Sequence, residues 1–164
     1  MTMNSTASAR PYDAIVTTPF GAVGVRVNNI AVTAIAYLPP STQAVPAKQA
    51  LAAKAVAQIE RYVQDARAGF DLPLAPTGTD FRQQVWKQIS AIPCGATSTY
   101  GELAGRIGSA ARAVGQACGD NPYPLVVPCH RVVAASGLGG FAHAGDGYLI
   151  AAKRWLLRHE GVAV

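Results

Sequence analysis

The stretch Thr99-Tyr-Gly-Glu-Leu-Ala-Gly-Arg-Ile-Gly-Ser-Ala-Ala-Arg-Ala-Val-Gly-Gln-Ala-Cys118 governs how the second half of the chain is read. Thr99 stands where an N-cap would open a short helix, Tyr100 to Ile107, because its hydroxyl can accept a first-turn N–H. Gly108 supplies the left-handed residue that ends such a helix. Ser109 then reads as the cap of a second short helix, Ala110 to about Cys118. Two short helices with so tight a glycine turn between them predict a helix-turn-helix, although most helix pairs touch no DNA.

Working toward the N-terminus, Thr79 caps a helix over Asp80 to Ile92, with Phe81, Val85 and Ile89 four residues apart and Pro93 as its stop. Phe70 to Gly78 holds two prolines and a glycine and reads as a linker. Ahead of it, Ala47 to Ala68 is an amphipathic helix with Leu51, Val56, Ile59 and Val63 on one side and Gly69 beyond it. A proline-rich break, Leu38 to Pro46, separates this helix from two strands, Phe20 to Val27 and Ile30 to Tyr37. Asn28-Asn29 would join them, since asparagine tolerates the positive φ of a tight hairpin. Met1 to Arg10 reads as a polar, frayed end without the apolar centre of a signal peptide. Toward the C-terminus, Leu125 to Val127 and Val132 to Ala135 are buried-strand material, and Leu149 to His159 is a closing helix with Gly161 past its end. The fold class expected is therefore an α/β N-terminal domain (a small sheet plus a helix, residues 1–74, structural in role) followed by a mainly α C-terminal domain, residues 78–164, containing the helix-turn-helix.

Half of the 164 residues are apolar, enough for a packed core. The net charge of +5 suits an acidic partner such as nucleic acid, but the basic residues are scattered and an ordinary basic surface fits equally. No segment has the length of a membrane helix. The three cysteines are odd in number and form no C-x-x-C pair, so neither a disulfide framework nor a zinc knuckle follows. A reducing, cytoplasmic location is expected, with no metal and no cofactor.

Leu125-Val-Val-Pro-Cys-His-Arg-Val-Val133 is where chemistry concentrates. An apolar run should be structural, yet a cysteine, a histidine and an arginine interrupt it, and buried polar groups need partners. A thiol becomes a nucleophile when a base or cation lowers its pKa from about 8.5, and His130 adjoins Cys129. Strand neighbours point to opposite faces, so a turn at Pro128 or a bridging water would be required. Cys94 and Cys118 lack such company and read as packing residues. Two charges oppose their helix dipoles, Arg112 in a first turn and Glu160 in a last turn, at about 0.3–1 kcal/mol each if exposed. A surface tolerates that; the functional alternative is that Arg112 faces a polyanion and Glu160 faces a histidine.

Together these residues resemble the O6-alkylguanine-DNA alkyltransferases. Pro128-Cys129-His130-Arg131-Val132 is similar to the family's acceptor motif. Gly78-Thr-Asp-Phe-Arg-Gln-Gln-Val-Trp86, Ile92-Pro93, Thr99-Tyr-Gly-Glu-Leu-Ala104, Ala110-Ala-Arg-Ala-Val-Gly115, Asn121-Pro122 and Arg154-Trp-Leu-Leu157 occur in the family's order. The resemblance covers Gly78 to Gly161; the first half matches only in its strand-and-helix character. It implies single-turnover DNA repair, in which the alkyl group of O6-alkylguanine, with O4-alkylthymine as a further candidate, moves irreversibly to Cys129. His130 would be the base acting through water, oriented and charged by Glu160 so that the imidazole stays protonated above neutrality and Cys129 stays a thiolate. Tyr100 would help extrude the base and give a proton to the departing guanine, and Asn121 would hold the turn before the active-site strand. Arg112 would fill the gap in the base stack, while Ala110, Ala111 and Ala113 allow close approach to the minor groove of double-stranded DNA. A monomer in solution is implied, with clustering on DNA left open.

Two departures stand out. The Gly108-Ser109 link is shorter than the family's usual one, and Phe141-Ala-His-Ala-Gly-Asp-Gly-Tyr148 carries extra residues where the family has a short glycine-rich loop lining the alkylguanine pocket. His143 and Asp146 there are too few for a metal site, which usually wants three or four ligands. Three rivals remain: a lesion-sensing relative without transfer activity, which would lack the acceptor cysteine; a helix-turn-helix regulator, for which the chain is short; and an unrelated cysteine hydrolase.

Overall fold

The computed structural model describes residues 12–164; the expectation for Met1 to Arg10 lies outside them. The chain divides between Ala75 and Pro76 into two compact units, taken here in turn. Together the described residues hold a small three-stranded sheet, a two-residue ladder and five α-helices.

In the first unit, β1 (Ala14–Thr18), β2 (Gly21–Val27) and β3 (Val32–Leu38) form an antiparallel sheet in that order. Val23 faces Val16 on one side and Tyr37 on the other, and the buried valines of β2 are its centre. β1 was not anticipated, because its run of five is short and shows no clear alternation; it pairs with residues three to eleven positions away. The expected two-residue hairpin is replaced by a longer loop. The Asn28 side chain accepts the N–H groups of Ile30 and Ala31, both at 2.8 Å, and neither asparagine takes a positive φ. That local bond supplies the turn without left-handed backbone.

Helix α1 (Ala50–Gln64) is shorter at both ends than Ala47 to Ala68, and its buried face is Ala52, Ala55, Gln58, Ile59 and Tyr62. Of the expected stripe only Ile59 belongs to it; the alanines let the helix lie close to the sheet, and Leu51, Val56 and Val63 flank the contact. Gln58 tolerates burial because its amide bonds both backbone groups of Asp71, at 3.1 and 2.8 Å.

The second unit is mainly helical: α2 (Asp80–Ser90), α3 (Tyr100–Ile107), α4 (Ala111–Gly119) and α5 (Tyr148–His159). Thr79 caps α2 by accepting from the N–H of Arg82 at 3.2 Å. The Trp86 indole of α2 donates to the Ala117 carbonyl of α4 at 2.8 Å, fixing the two helices. Thr99 and Glu102 close a capping box, the hydroxyl accepting from Glu102 N at 3.0 Å and the carboxylate from Thr99 N at 2.7 Å. Gly108, at φ 68, ends α3.

Ser109 does not open α4. Its N–H is used by Ala104 of the preceding helix, and the N-cap is Ala110, with no side-chain bond. Nor is Leu125 to Val127 a strand. Leu125 is left-handed at φ 74, and the segment turns instead of extending. Only Val132–Val133 (β5) is strand; it runs parallel to Ser98–Thr99 (β4), which places the start of α3 beside the chain leaving Cys129.

Because that capping box holds the first turn of α3, Thr99→Ala should cost about 0.5–2 kcal/mol in chemical denaturation. Adding Glu102→Ala should then cost less than Glu102→Ala alone, because the two share one motif; additive losses would show that the box is not cooperative.

Candidate active site

Cys129 opens a single 3-10 turn, Cys129–Arg131, directly after Pro128. Three residues per turn spread successive side chains about 120° apart, so Cys129, His130 and Arg131 point in different directions. A strand would have put His130 on the face opposite Cys129. The approach to this turn is held by Asn121. Its amide nitrogen donates to the Val127 carbonyl at 2.8 Å and to Cys129 Sγ at 3.2 Å, while its oxygen accepts from Tyr123 N at 2.9 Å. One side chain thus shapes the turn and touches the thiol.

Behind the thiol lies a buried charge cluster. His130 Nε2 is 2.8 Å from Glu160 Oε2. Arg131 grips the same carboxylate with Nε at 2.8 Å and Nη2 at 3.0 Å, and its Nη1 donates to the Ile92 carbonyl at 2.7 Å. The Glu160 side chain has no exposed surface and that of His130 has 1%. Such a carboxylate is stable only with partners that replace water, and the bidentate guanidinium is the strongest available. Arg131 thereby takes up the charge of Glu160 and leaves His130 free to be neutral. Burial pushes the His130 imidazole below its ordinary value, with Glu160 opposing.

Burial thus works against the protonated imidazole expected from the sequence and favours a neutral one. With its Nε2–H given to Glu160, its Nδ1 is a lone-pair acceptor that is buried and has no protein partner. Cys129 departs from expectation in the same sense. A hydrogen bond with Cys118 and burial push its thiol well up, against the pull of Asn121 and Lys153. Burial of both groups therefore favours a resting thiol and neutral base over a thiolate and an imidazolium.

Cys129, 5% exposed, lies at a cavity of about 350 Å³ that Tyr100, Gly115, Cys118, Phe141 and His143 also line. Tyr100, the first residue of α3, donates its hydroxyl to the Gly140 carbonyl at 3.2 Å. Burial and the two nearby thiols push its phenol up to about 12, so it holds its proton. Sequence reasoning missed Lys153. It is fully buried, and its Nζ donates to the carbonyls of Val132 at 2.7 Å and Gly140 at 2.9 Å, tying the chain after Cys129 to the loop across the cavity. Burial lowers its pKa to about 8. A signal was there: Ala152, Lys153, Leu156, Leu157 and Glu160 share one helical face, which puts both charges on the apolar side.

The extra residues at 141–148 fold back on the end of α4. His143 Nε2 lies 3.0 Å from Asp120 Oδ1, and Arg82 donates to the other oxygen at 2.7 Å. The bond from His143, with Arg82 adding, holds the Asp120 carboxyl below its usual range. The ring occupies the space over Gly119, where a Cβ would come within 2.2 Å of it. Asp146 is not its partner, and no group of three metal-binding side chains occurs among the described residues. Arg112, Ala110 and Ala111 are exposed at the opposite end of α4, and Ala113 is half-buried; none of them lines the Cys129 cavity. No helix among the described residues is long and apolar enough to cross a membrane.

Removing the Glu160 charge leaves Arg131 uncompensated in a buried place. Glu160→Gln should therefore lower stability by about 3–5 kcal/mol, read by denaturant titration. The depressed His130 pKa gives a sign as well. Its contribution to stability is complete above the ordinary imidazole value of about 6.5 and is lost as pH falls through and below it, because the unfolded chain binds the proton more readily. A stability curve flat across that window would contradict the neutral assignment.

Residues 80–162 match a family profile described as 6-O-methylguanine DNA methyltransferase, DNA binding domain. A methylated-DNA–protein-cysteine methyltransferase of Methanosarcina mazei is 47% identical over 106 residues, which cover 63% of this chain and 64% of that protein. The matched stretch spans between half and two-thirds of the length of such curated relatives. Among solved structures, the Mycobacterium tuberculosis O6-methylguanine methyltransferase superposes with a TM-score of 0.74 at 37% identity, covering 92% of this chain and 93% of that one. Mycobacterium tuberculosis OGT in complex with DNA gives 0.74 at 37% identity, over 90% and 91%.

Proposed function

The chain belongs to the 6-O-methylguanine DNA methyltransferase family, and from that premise we propose that it repairs DNA by moving the alkyl group from O6 of guanine to its own Cys129. The observation that carries the proposal is the buried thiol at a cavity, bonded by Asn121, with the His130–Glu160 pair behind it. In this reading the Cys129 proton passes through water to His130 Nδ1, the one bare acceptor on that ring. The imidazolium that forms is stabilised by Glu160 at 2.8 Å. A neutral base that becomes charged only during the reaction gives more to the transition state than one charged at rest. The thiolate attacks the sp³ carbon in line, the carbon–oxygen bond breaks, and the electron pair leaves with the guanine, toward which Tyr100 offers its proton. A thioether has no leaving group, so one chain repairs one lesion.

DNA is the proposed partner, with α3 and α4 serving as a helix-turn-helix. Arg112, Ala110 and Ala111 form the exposed start of α4, suited to entering a minor groove, with Arg112 replacing the extruded base. Ala113 sits a turn deeper. The division of labour follows the two units: residues 78–164 bind DNA and accept the alkyl group, and residues 1–74 are structural. Monomeric action in a reducing cytoplasm, with O4-alkylthymine as a second substrate, completes the proposal. A lesion sensor without transfer activity would not need a thiol so placed, and Cys129 weighs against it.

Incubation with a duplex containing O6-methylguanine should add one methyl, about 14 Da, to the peptide bearing Cys129, once per chain. Methyl on Cys94 or Cys118, or repeated turnover, would refute the mechanism. Cys129→Ser should bind the alkylated duplex without accepting the group. Base flipping costs a few kcal/mol; if Arg112 offsets about 1.4 kcal/mol of it, Arg112→Ala should slow duplex repair about tenfold and leave reaction with free O6-methylguanine base unchanged. Equal slowing of both would remove Arg112 from the flipping step.

A further inference from the structure

The cavity holds a second thiol that the transfer does not use. Cys118, on the buried face of α4, is 9% exposed and lines the same cavity as Cys129. Both thiols act on the charge states of Tyr100 and Lys153, and Cys118 pushes against ionisation of Cys129, which places them side by side at the wall of that one cavity. Cys94 lines no part of that cavity. Packing alone would be served by any small apolar residue here, whereas a thiol in contact with another thiol has a chemistry of its own.

We propose that Cys118 and Cys129 are a redox-sensitive modification site, closing to an intramolecular disulfide under peroxide and reopening with a dithiol reductant. The bond itself does not depend on the proposed repair function. Its consequence, that the closed form cannot accept an alkyl group, does rest on the reading of Cys129 as the acceptor. In the first step the Cys129 sulfur attacks one peroxide oxygen. The O–O bond breaks, Cys129 becomes a sulfenic acid, and the other oxygen leaves with the thiol proton as water. In the second step the Cys118 sulfur attacks Cys129 sulfur, the S–O bond breaks, and the hydroxyl leaves with the Cys118 proton as a second water. Two electrons pass from the thiols to one peroxide.

Two features of the site favour the second step. The two side chains face one cavity, where the sulfurs would close to about 2.05 Å. The segment between them, Gly119 to Pro128, is a turn that already brings its ends together, so ring closure costs little further entropy. On the first step two influences compete: the Nζ of Lys153 pulls the Cys129 thiol toward its charged form. Burial works against the first step, so oxidation should be slower than for an exposed thiolate. Once a sulfenic acid forms, however, its neighbour is at an effective concentration that no external thiol matches. The pair would thus divert Cys129 from sulfinic acid, which is not reversed by thiols.

The test uses the full chain. After limited hydrogen peroxide and alkylation of remaining thiols, trypsin releases Ala113–Arg131, which carries both cysteines. This peptide should be about 2 Da lighter than its reduced form. Further cleavage before Asp120 should leave its two halves joined until dithiothreitol is added. Treated protein should lose methyl transfer from an O6-methylguanine duplex and regain it on reduction. Cys118→Ala and Cys118→Ser, each compared with its own untreated sample, should form no link and regain much less. Oxidation of Cys129 with Cys118 still free, a bond to Cys94, or equal recovery in the Cys118 variants would overturn the proposal. A linked peptide in a protein whose untreated form takes no methyl would uphold the redox pair and instead remove Cys129 as acceptor.

Discussion

The second unit is organised around one buried carboxylate. Glu160 sits just past the last turn of α5, where free carbonyls make a negative charge unfavourable, and its side chain has no contact with solvent. Left alone there it would be intolerable. Arg131 answers it with two guanidinium bonds, and His130 with a ring nitrogen at 2.8 Å. Both partners lie in the 3-10 turn that begins at Cys129, so the need to satisfy one acid pins the end of the last helix to the reactive turn. Arg131 extends the clamp to α2 through the Ile92 carbonyl just beyond that helix. Removing the acid would therefore disturb position and protonation together.

The same carboxylate decides the state of the histidine. A lone Glu160 facing His130 would favour the imidazolium, and the adjacency of a misplaced acid and a histidine invites that conclusion from the sequence. Arg131, two residues past the cysteine and readable only as part of the motif, changes the balance. Its permanent charge meets that of Glu160, burial then dominates the imidazole, and the thiol beside it keeps its proton. The site stores no charge separation at rest; it holds an aligned donor and acceptor that can create one.

What could be read in advance was local. Thr79, Thr99 and Gly108 act through bonds within three or four residues, and the helices that they delimit begin or end where those residues stand. Ser109 failed because its backbone was already claimed by the preceding helix, a preference that side-chain type does not reveal. Leu125 to Val127 failed for a different reason: apolar composition promises burial, not extension, and the segment is buried as a turn. The site divided along the same line. Cys129, His130 and Glu160 stand out by chemistry, whereas the parts played by Lys153 and Cys118 emerge where helix faces from distant parts of the chain meet at one site. Both lie on faces where helical spacing puts apolar residues, and there a polar residue deserved to be read as a second signal.

Helix α4 shows how the cavity itself is made. Gly115 and Gly119 lie one turn apart on the side that faces Cys129, and Gly115, in the helix interior, costs roughly 0.5–1 kcal/mol relative to alanine. Space beside the thiol is thus obtained by leaving side chains out, at the expense of helix stability that the Trp86 bond to Ala117 helps restore. At Gly119 the vacated volume is taken by the His143 ring, held there by Asp120. At Gly115 nothing comes within 4 Å of where a Cβ would stand. The room left for a ligand therefore depends on two unlike walls, a helix whose backbone cannot recede and a loop whose side chain is retained by one partly exposed hydrogen bond. The second is the weaker constraint, so any change in the size of this cavity should come from the loop before it comes from the helix.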